Sequence, residues 1–194
     1  MDILGVKYIG FEKGELLRIE ARRLDPLRYK KVWEKDNFIV FENKNAYSRV
    51  YLADRSVLRT IKQDSIREIY DQNIDLRDTV IASQYMPFEE NKSQGSARIL
   101  SYLPSKVTVE TESDGTKILV LSDAYYPGWK AEINGDDTEI IRVNHAFRGV
   151  IVPKGKNMIV FSYQPYPFFT GILVTIISIA ISLMILFRKK KNVN

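Results

Sequence analysis

The chain lacks several residue types that catalytic and metal sites commonly need. It contains no cysteine and one histidine, His145, among 194 residues. A disulfide framework, a cysteine-ligated metal site and a thiol nucleophile are therefore excluded, as is any site that needs two histidines. The sequence also has no glycine-rich phosphate loop, no zinc-type ligand spacing and no nucleophile elbow. We therefore expect no catalytic residue set, no metal site and no cofactor.

Charge is distributed unevenly along the chain. The formal net charge is +5, and residues 188–191 alone supply four positive charges. Residues 1–167 contain 25 basic and 24 acidic side chains, so this region is close to neutral. A nucleic-acid-binding domain normally presents a basic face. The charge balance therefore argues against nucleic acid as a partner.

A long uncharged run lies near the C-terminus. Residues 168–187 contain no charged side chain, and 15 of these 20 residues are apolar. Twenty helical residues rise about 30 Å, which is the thickness of the hydrocarbon core of a bilayer. The run predicts a single C-terminal transmembrane α-helix over residues 166–187, with the lipid bilayer as a partner. A buried core helix is the alternative, and the length of the run and the basic stop argue against it.

The basic end of the chain predicts an orientation. Positive residues next to a span stay in the cytoplasm, so residues 188–194 are expected to form a cytoplasmic tail. The preceding domain would then be extracytoplasmic, in a single-pass protein of the cell membrane. The sequence begins without a basic and then apolar segment, so no signal peptide is expected. Either the chain is tail-anchored, or it corresponds to the last part of a larger membrane protein.

The region before the apolar run is predicted to be mostly β. Short β-branched and aromatic runs at residues 4–9, 37–41 and 49–52 indicate strands. Residues 25–36 are highly charged and are predicted to be a connection, and residues 64–70 to be one short helix.

From residue 97 the strand signals become regular, with turn residues such as Asp114-Gly115 and Asn134-Gly135 between them. This spacing predicts an antiparallel β-sandwich. The predicted strands are residues 97–103, 106–111, 117–122, 128–133, 138–143, 147–152 and 157–163. The predicted organisation is N-terminal strands, a short helix and a loop packing on the sandwich (1–96), the sandwich core (97–165), the membrane helix (166–187) and the basic tail (188–194).

Residues 122–130 carry the densest concentration of aromatic side chains. If this segment is functional, the rings of Tyr125 and Tyr126 could stack on the apolar face of a sugar while Asp123 or Arg148 binds its hydroxyls. If it is structural, Trp129 fills the space between the sheets beside a Pro-Gly corner. We favour the structural role for Trp129, and we keep the other four residues as candidate substrate-binding residues.

Several short motifs resemble one bacterial family. The segments LVLSDAYYPGW at residues 119–129, ING at 133–135 and VNHAFRGV at 143–150 are similar to the C-terminal region of the YfhO membrane protein family. Residues 4–9 resemble the family's stretch just after its membrane bundle, and residues 40–43 and 49–51 resemble the strands that follow it. The resemblance covers nearly the whole chain.

This resemblance implies a function for the family and a limit for this chain. The family is similar to GT-C type, lipid-linked-sugar-dependent glycosyltransferases, which are multi-pass proteins implicated in glycosylating cell-envelope polymers. Their catalysis is placed in the many N-terminal helices and an acidic residue of an early extracytoplasmic loop, which this chain lacks. It is therefore expected to be a non-catalytic fragment or split subunit, with a multi-pass protein or an envelope glycan as partner. The alternative is a stand-alone, membrane-tethered carbohydrate-binding module.

Overall fold

The computed structural model of this protein describes residues 2, 4–14, 24–58, 74–86 and 93–191, with helix side chains described at residues 168 and 170–184. The described elements, in chain order, are β1 (Tyr8–Glu12), β2 (Tyr29–Lys35), β3 (Phe38–Asn43), β4 (Val50–Ala53), β5 (Arg55–Leu58), β6 (Thr79–Ala82), β7 (Gly95–Leu103), β8 (Lys106–Ser113), β9 (Lys117–Ala124), β10 (Trp129–Ile133), β11 (Asp136–Thr138), β12 (Ile141–Val143), β13 (Phe147–Val152), β14 (Gly155–Tyr163) and α1 (Tyr166–Lys191). The prediction of a mostly β protein is confirmed. The short helix predicted at residues 64–70 lies outside the described residues.

The strands form three sheets. A small sheet has the order β1-β3-β2, a five-stranded sheet has the order β11-β10-β14-β8-β7, and a six-stranded sheet has the order β4-β9-β13-β12-β6-β5. Three strands that precede residue 97, namely β4, β5 and β6, belong to the six-stranded sheet. That sheet is therefore assembled from both the first and the second half of the chain.

The main core lies between the five-stranded and six-stranded sheets. Its buried members come from both sheets, and Phe161 is its largest fully buried side chain. Burying such apolar surface contributes about 25 cal/mol per Å² to the stability of the fold. The cluster consists of Val50, Val107, Val109, Leu119, Leu121, Ala131, Ile133, Val150, Val152, Ile159 and Phe161.

Strand β9 is buried on both of its faces. Leu119 and Leu121 belong to the main core, whereas Ile118 and Val120 belong to a second apolar cluster. Successive side chains of a strand point to opposite faces, so the two clusters lie on opposite sides of the sheet. This explains why β9 is a continuous apolar run rather than an alternating one.

The charged segment at residues 25–36, predicted to be a connection, contains strand β2. This strand lies at the edge of the small sheet, and six of its seven residues are exposed. Charged residues are common on edge strands, where they discourage pairing with another chain. Because β2 has no buried face, its sequence lacks the alternation that identifies a strand, and the prediction was wrong.

The single strand predicted at residues 138–143 is two strands in two different sheets. β11 pairs with β10 in the five-stranded sheet, and β12 pairs with β13 in the six-stranded sheet. The chain therefore crosses between the sheets within this segment. The sandwich is also not purely antiparallel, because β5 and β6 pair in parallel. A parallel pair needs a long connection, and residues 59–78 provide it.

The C-terminal helix α1 begins between Pro165 and Pro167, where the prolines end the strand and open the helix. Its described side chains are all exposed. The hydroxyls of Thr175, Ser178 and Ser182 donate back to carbonyl oxygens four residues earlier, each at 2.8 Å. Among the described residues, no helix combines the length and apolar character that crossing a membrane requires. The predicted transmembrane helix, and with it the single-pass topology, is therefore not supported by the structure.

Candidate functional site

A cleft of about 490 Å³ opens at the end of the sandwich from which α1 departs. We call it the aromatic cleft, because rings from four strand ends and turns form most of its wall. Its lining residues are Tyr102, Leu103, Pro104, Val107, Asp123, Ala124, Tyr126, Trp129, Arg148 and Tyr163.

A β-bulge brings the charged residues of the cleft together. In the pairing of β13 with β9, Phe147 lies opposite Ala124, but the next residue, Arg148, lies opposite Leu121. Ser122 and Asp123 therefore have no paired residue on β13. Bulges of this kind redirect side chains and are frequent beside functional sites. Here the bulge places the carboxylate of Asp123 within reach of Arg148.

The carboxylate of Asp123 accepts hydrogen bonds from three side chains. Arg148 donates from Nη2 at 2.9 Å and Arg49 donates from Nη1 at 3.0 Å. The Tyr102 hydroxyl lies 3.0 Å from each carboxylate oxygen, and Arg49 Nη1 is also 2.9 Å from that hydroxyl. The carboxylate therefore joins side chains from β7, from β13 and from the residue just before β4.

Arg148 is almost completely buried. Its side chain is 3% exposed, and its guanidinium carbon lies 3.8 Å from the centroid of the Trp129 ring. Burial lowers the pKa of Arg148 from its ordinary value, and the charge of Asp123 opposes this change. Among the described residues, Nε and Nη1 of Arg148 are buried and have no hydrogen-bond partner. The positive charge is thus only partly balanced by hydrogen bonds.

The ring wall is built by strand pairing. Trp129, at the start of β10, lies opposite Tyr163 at the end of β14, and their ring centroids are 5.4 Å apart. The rings of Tyr126 and Tyr163 are 6.5 Å apart. Gly128, with φ of 102°, makes the turn into β10, as the Pro-Gly corner in the sequence indicates. A Cβ at this glycine would lie 3.0 Å from the Tyr163 ring.

Trp129 serves both of the roles that the sequence left open. It is half-buried and packs against the main core. It also lines the aromatic cleft and carries Arg148 on one face of its ring. The expectation of a residue that fills the space between the sheets is thus correct only in part, because one side of the ring belongs to the cleft.

The four predicted substrate-binding residues do not all meet. Asp123, Tyr126 and Arg148 line the aromatic cleft, whereas Tyr125, which is 41% exposed, is not among the lining residues. Whether any of the four binds a substrate remains a prediction.

Sequence reasoning missed three polar or aromatic members of this site. Tyr102 and Tyr163 line the cleft, and Arg49 binds Asp123 beside it. Their sequence distances from Asp123 are 21, 40 and 74 residues. No local motif connects residues so far apart, and only the pairing order of the strands brings them together.

The lone histidine lies outside the cleft, in the turn between β12 and β13. Asn144 and His145 both have positive φ, 47° and 75°, which is the backbone of a tight hairpin turn. The amide oxygen of buried Asn144 accepts a hydrogen bond from the Ile81 N–H at 2.9 Å, and its Nδ2 donates to the Tyr51 hydroxyl at 2.9 Å. Burial raises the pKa of Tyr51, with the Asn144 hydrogen bond opposing the change. His145 is therefore a turn residue beside a structural network.

Fold and site together define a β-sandwich protein with a cleft that is lined by aromatic rings and an ion pair, followed by the C-terminal helix α1. The chain belongs to the family described as bacterial membrane protein YfhO, whose family model matches residues 71–175. The resemblance seen in the sequence is therefore confirmed. The matched range contains every lining residue of the aromatic cleft, but not Arg49.

One curated relative is much longer than the region that it shares with this chain. The chain is 26% identical over 101 residues to "Uncharacterized protein YfhO" from Bacillus subtilis (strain 168). The alignment covers 52% of this chain and 12% of that protein. No solved structure matches the chain significantly.

Proposed function

We propose that this chain is the extracytoplasmic β-domain of a YfhO-like protein of cell-envelope glycosylation, held at the membrane by α1. In this proposal the domain is not catalytic by itself. It supports a multi-pass catalytic partner, or the envelope glycan on which that partner acts. The observation that carries the proposal is the family match. The matched range includes β6–β14 and the beginning of α1, and it contains every lining residue of the aromatic cleft.

The side chains of α1 support attachment to the membrane. Ile172, Leu173, Val174 and Ile176 are each at least 43% exposed, and the opposite face of the helix carries small, uncharged residues. A large exposed apolar surface of this kind is typical of a site that contacts a membrane or another protein. The uncharged run of residues 168–187 continues this character over 20 residues, and the family is described as a membrane protein family.

The bonding of Asp123 supports a non-catalytic role for the cleft. A general acid or base must exchange a proton with the substrate. This carboxylate already accepts hydrogen bonds from two arginines and a tyrosine. Such a carboxylate is suited to organising neighbouring side chains, and the role proposed for it is structural.

The proposed orientation can be tested by thiol labelling, because the chain contains no natural cysteine. We expect Lys154→Cys, in the exposed turn between β13 and β14, to react with a membrane-impermeant maleimide in intact cells. Asn194→Cys should react only after the cells are opened, because positive residues keep the tail inside. Labelling of Asn194→Cys from outside intact cells would contradict this orientation.

The non-catalytic role can be tested with the purified chain in detergent. A lipid-linked sugar needs a cavity at the level of the membrane, and one helix cannot enclose one. We therefore expect no sugar transfer to an acceptor glycan when a polyprenyl-phosphate-linked sugar is supplied. Complete membranes that contain a multi-pass YfhO-family protein are the positive control. Repeated turnover by the purified chain alone would refute the proposal.

A stand-alone, membrane-tethered carbohydrate-binding module is the second candidate function. The observation that favours it is the aromatic cleft, whose ring wall and ion pair are complete within this one chain. The two candidates differ in their need for a partner. Co-purification of the tagged chain with a multi-pass YfhO-family protein favours the first candidate, whereas a chain that binds glycan and co-purifies with no such protein from membranes that contain one favours the second.

A further inference from the structure

We propose that the aromatic cleft binds a pyranose that carries one negative charge, either a uronic acid carboxylate or a phosphodiester. The proposal deepens the proposed function, because envelope glycans would supply such a ligand. It assigns the sugar ring to the wall of Tyr126 and Trp129, and the negative charge to the arginine side of the cleft. This differs from the expectation from the sequence, in which Asp123 binds the hydroxyls of a sugar.

The charges around the cleft leave an excess of one positive charge. Arg49 and Arg148 are positive and Asp123 is negative, and each arginine forms an ion pair with this same carboxylate. Because Arg148 is 3% exposed, water screens its charge poorly. A single negative charge on a ligand would balance the group, whereas a neutral sugar would leave it unbalanced.

Hydrogen-bond donors remain available for such a charge. Arg49 is 56% exposed and uses Nη1 for Asp123 and Tyr102, so the rest of its guanidinium faces solvent. Nε and Nη1 of Arg148 also have no acceptor among the described residues, but both atoms are buried, so Arg148 contributes its charge to the site and Arg49 contributes the accessible donors. Arginine is well suited to carboxylates and phosphates, because its planar group presents several donors in a fixed geometry.

The ring wall provides the apolar part of the site. Tyr126 is 61% exposed at the mouth of the cleft, and Trp129 and Tyr163 continue the wall inward. The apolar face of a pyranose can stack on such rings. The same wall covers Arg148 and keeps water from its guanidinium, which strengthens the attraction between this charge and an anion.

Asp123 is a positioning residue in this arrangement. Its carboxylate fixes Arg49, Arg148 and Tyr102 at distances of 2.9–3.0 Å. It therefore holds Arg148 in the wall of the cleft and Arg49 beside the cleft before any ligand arrives. Such preorganisation reduces the entropy that binding would otherwise cost.

The test uses the fluorescence of Trp129 in the full chain. The chain has two tryptophans, and the other, Trp33, lies on the edge strand β2. In a Trp33→Phe background, Trp129 becomes the sole indole reporter. The probes are a short glucuronic acid oligosaccharide, a neutral glucose oligosaccharide of equal length, and the same glucose oligosaccharide carrying a methyl phosphodiester.

Matched variants separate the cleft from the rest of the surface. Arg49→Ala should weaken binding of the charged probe about tenfold or more. Tyr126→Ala should weaken it about threefold to tenfold. The controls are Tyr125→Ala, which changes the neighbouring ring outside the cleft, and Arg98→Ala, which removes an exposed arginine paired with Glu110. Both controls should stay within about twofold of the parent chain.

Each outcome decides the proposal. The proposal is supported if a charged probe binds saturably and if this binding is weakened by Arg49→Ala and by raising the salt concentration from about 0.1 M to about 1 M. The charged probe that binds more tightly then shows whether the charge is a carboxylate or a phosphodiester. Equal binding of the neutral probe, or no binding of either charged probe, overturns it. The sugar-transfer assay of the purified chain does not depend on whether these probes bind. Failure of this inference is therefore distinguishable from failure of the proposed function.

Discussion

Asp123→Ala should lower the free energy of unfolding by about 3–5 kcal/mol, which is the usual cost of removing one partner of a buried ion pair. The side chain of Arg148 is 3% exposed, and Asp123 is its hydrogen-bond acceptor among the described residues. Without that carboxylate, the guanidinium would remain buried with its charge uncompensated. The measurement is a guanidinium chloride unfolding curve of the full chain in mild detergent, followed by circular dichroism.

Removing the arginine of the pair should lower the free energy of unfolding by less than removing the carboxylate does. In Arg148→Met the carboxylate of Asp123 keeps its contacts with Arg49 and Tyr102. The double variant should be more stable than Asp123→Ala alone, because an apolar side chain then replaces the unpaired charge. Asp136→Ala, which removes an exposed acid, is the control and should change stability by about 0.5 kcal/mol or less. A loss below about 1 kcal/mol in Asp123→Ala would show that Arg148 is not held by this pair.

Much of the sandwich could be predicted because its signals are local. Asn134-Gly135 marks the hairpin between β10 and β11, and both residues have positive φ, 54° and 95°. The run at 147–152 matches β13 at both ends, and the runs at 106–111 and 117–122 start where β8 and β9 start. In each case turn chemistry and side-chain pattern within a few residues determine the strand.

The remaining errors arise where pairing partners, not local pattern, decide the structure. Nothing within residues 138–143 shows that its two ends pair in different sheets. The edge strand β2 has a partner on one side and no buried face. Edge position and sheet membership are properties of the whole assembly, so a window of sequence does not contain them.

The candidate site was predictable in its composition and not in its geometry. Asp123, Tyr126 and Arg148 could be selected because charged and aromatic residues cluster near a Pro-Gly corner. The bulge that aims Asp123 at Arg148 depends on the pairing of β9 with β13. The meeting with Arg49 and Tyr102 depends on contacts across 74 and 21 residues. Only these long-range contacts show that the Asp123 carboxylate accepts hydrogen bonds from three side chains.

Phe161→Ala should also lower the free energy of unfolding by about 3–5 kcal/mol, as large-to-small changes in packed cores do. Phe161 is fully buried in the main core, and the guanidinium carbon of Arg148 lies 5.4 Å from its ring centroid. Met158, three residues earlier on β14 and 48% exposed, is the matched control. Met158→Ala should cost about 0.5 kcal/mol or less.

Phe161→Ala and Met158→Ala should also differ in their effect on the aromatic cleft. Removing the Phe161 ring takes away one of the two aromatic rings near the guanidinium of Arg148, the other being Trp129. We therefore expect Phe161→Ala to change the fluorescence of Trp129 in the folded chain, whereas Met158→Ala leaves it unchanged. Equal unfolding midpoints for these two variants would mean that β14 does not present alternate residues to the core. In that case the register of β14 with β8, in which Phe161 lies opposite Val107, would also be wrong.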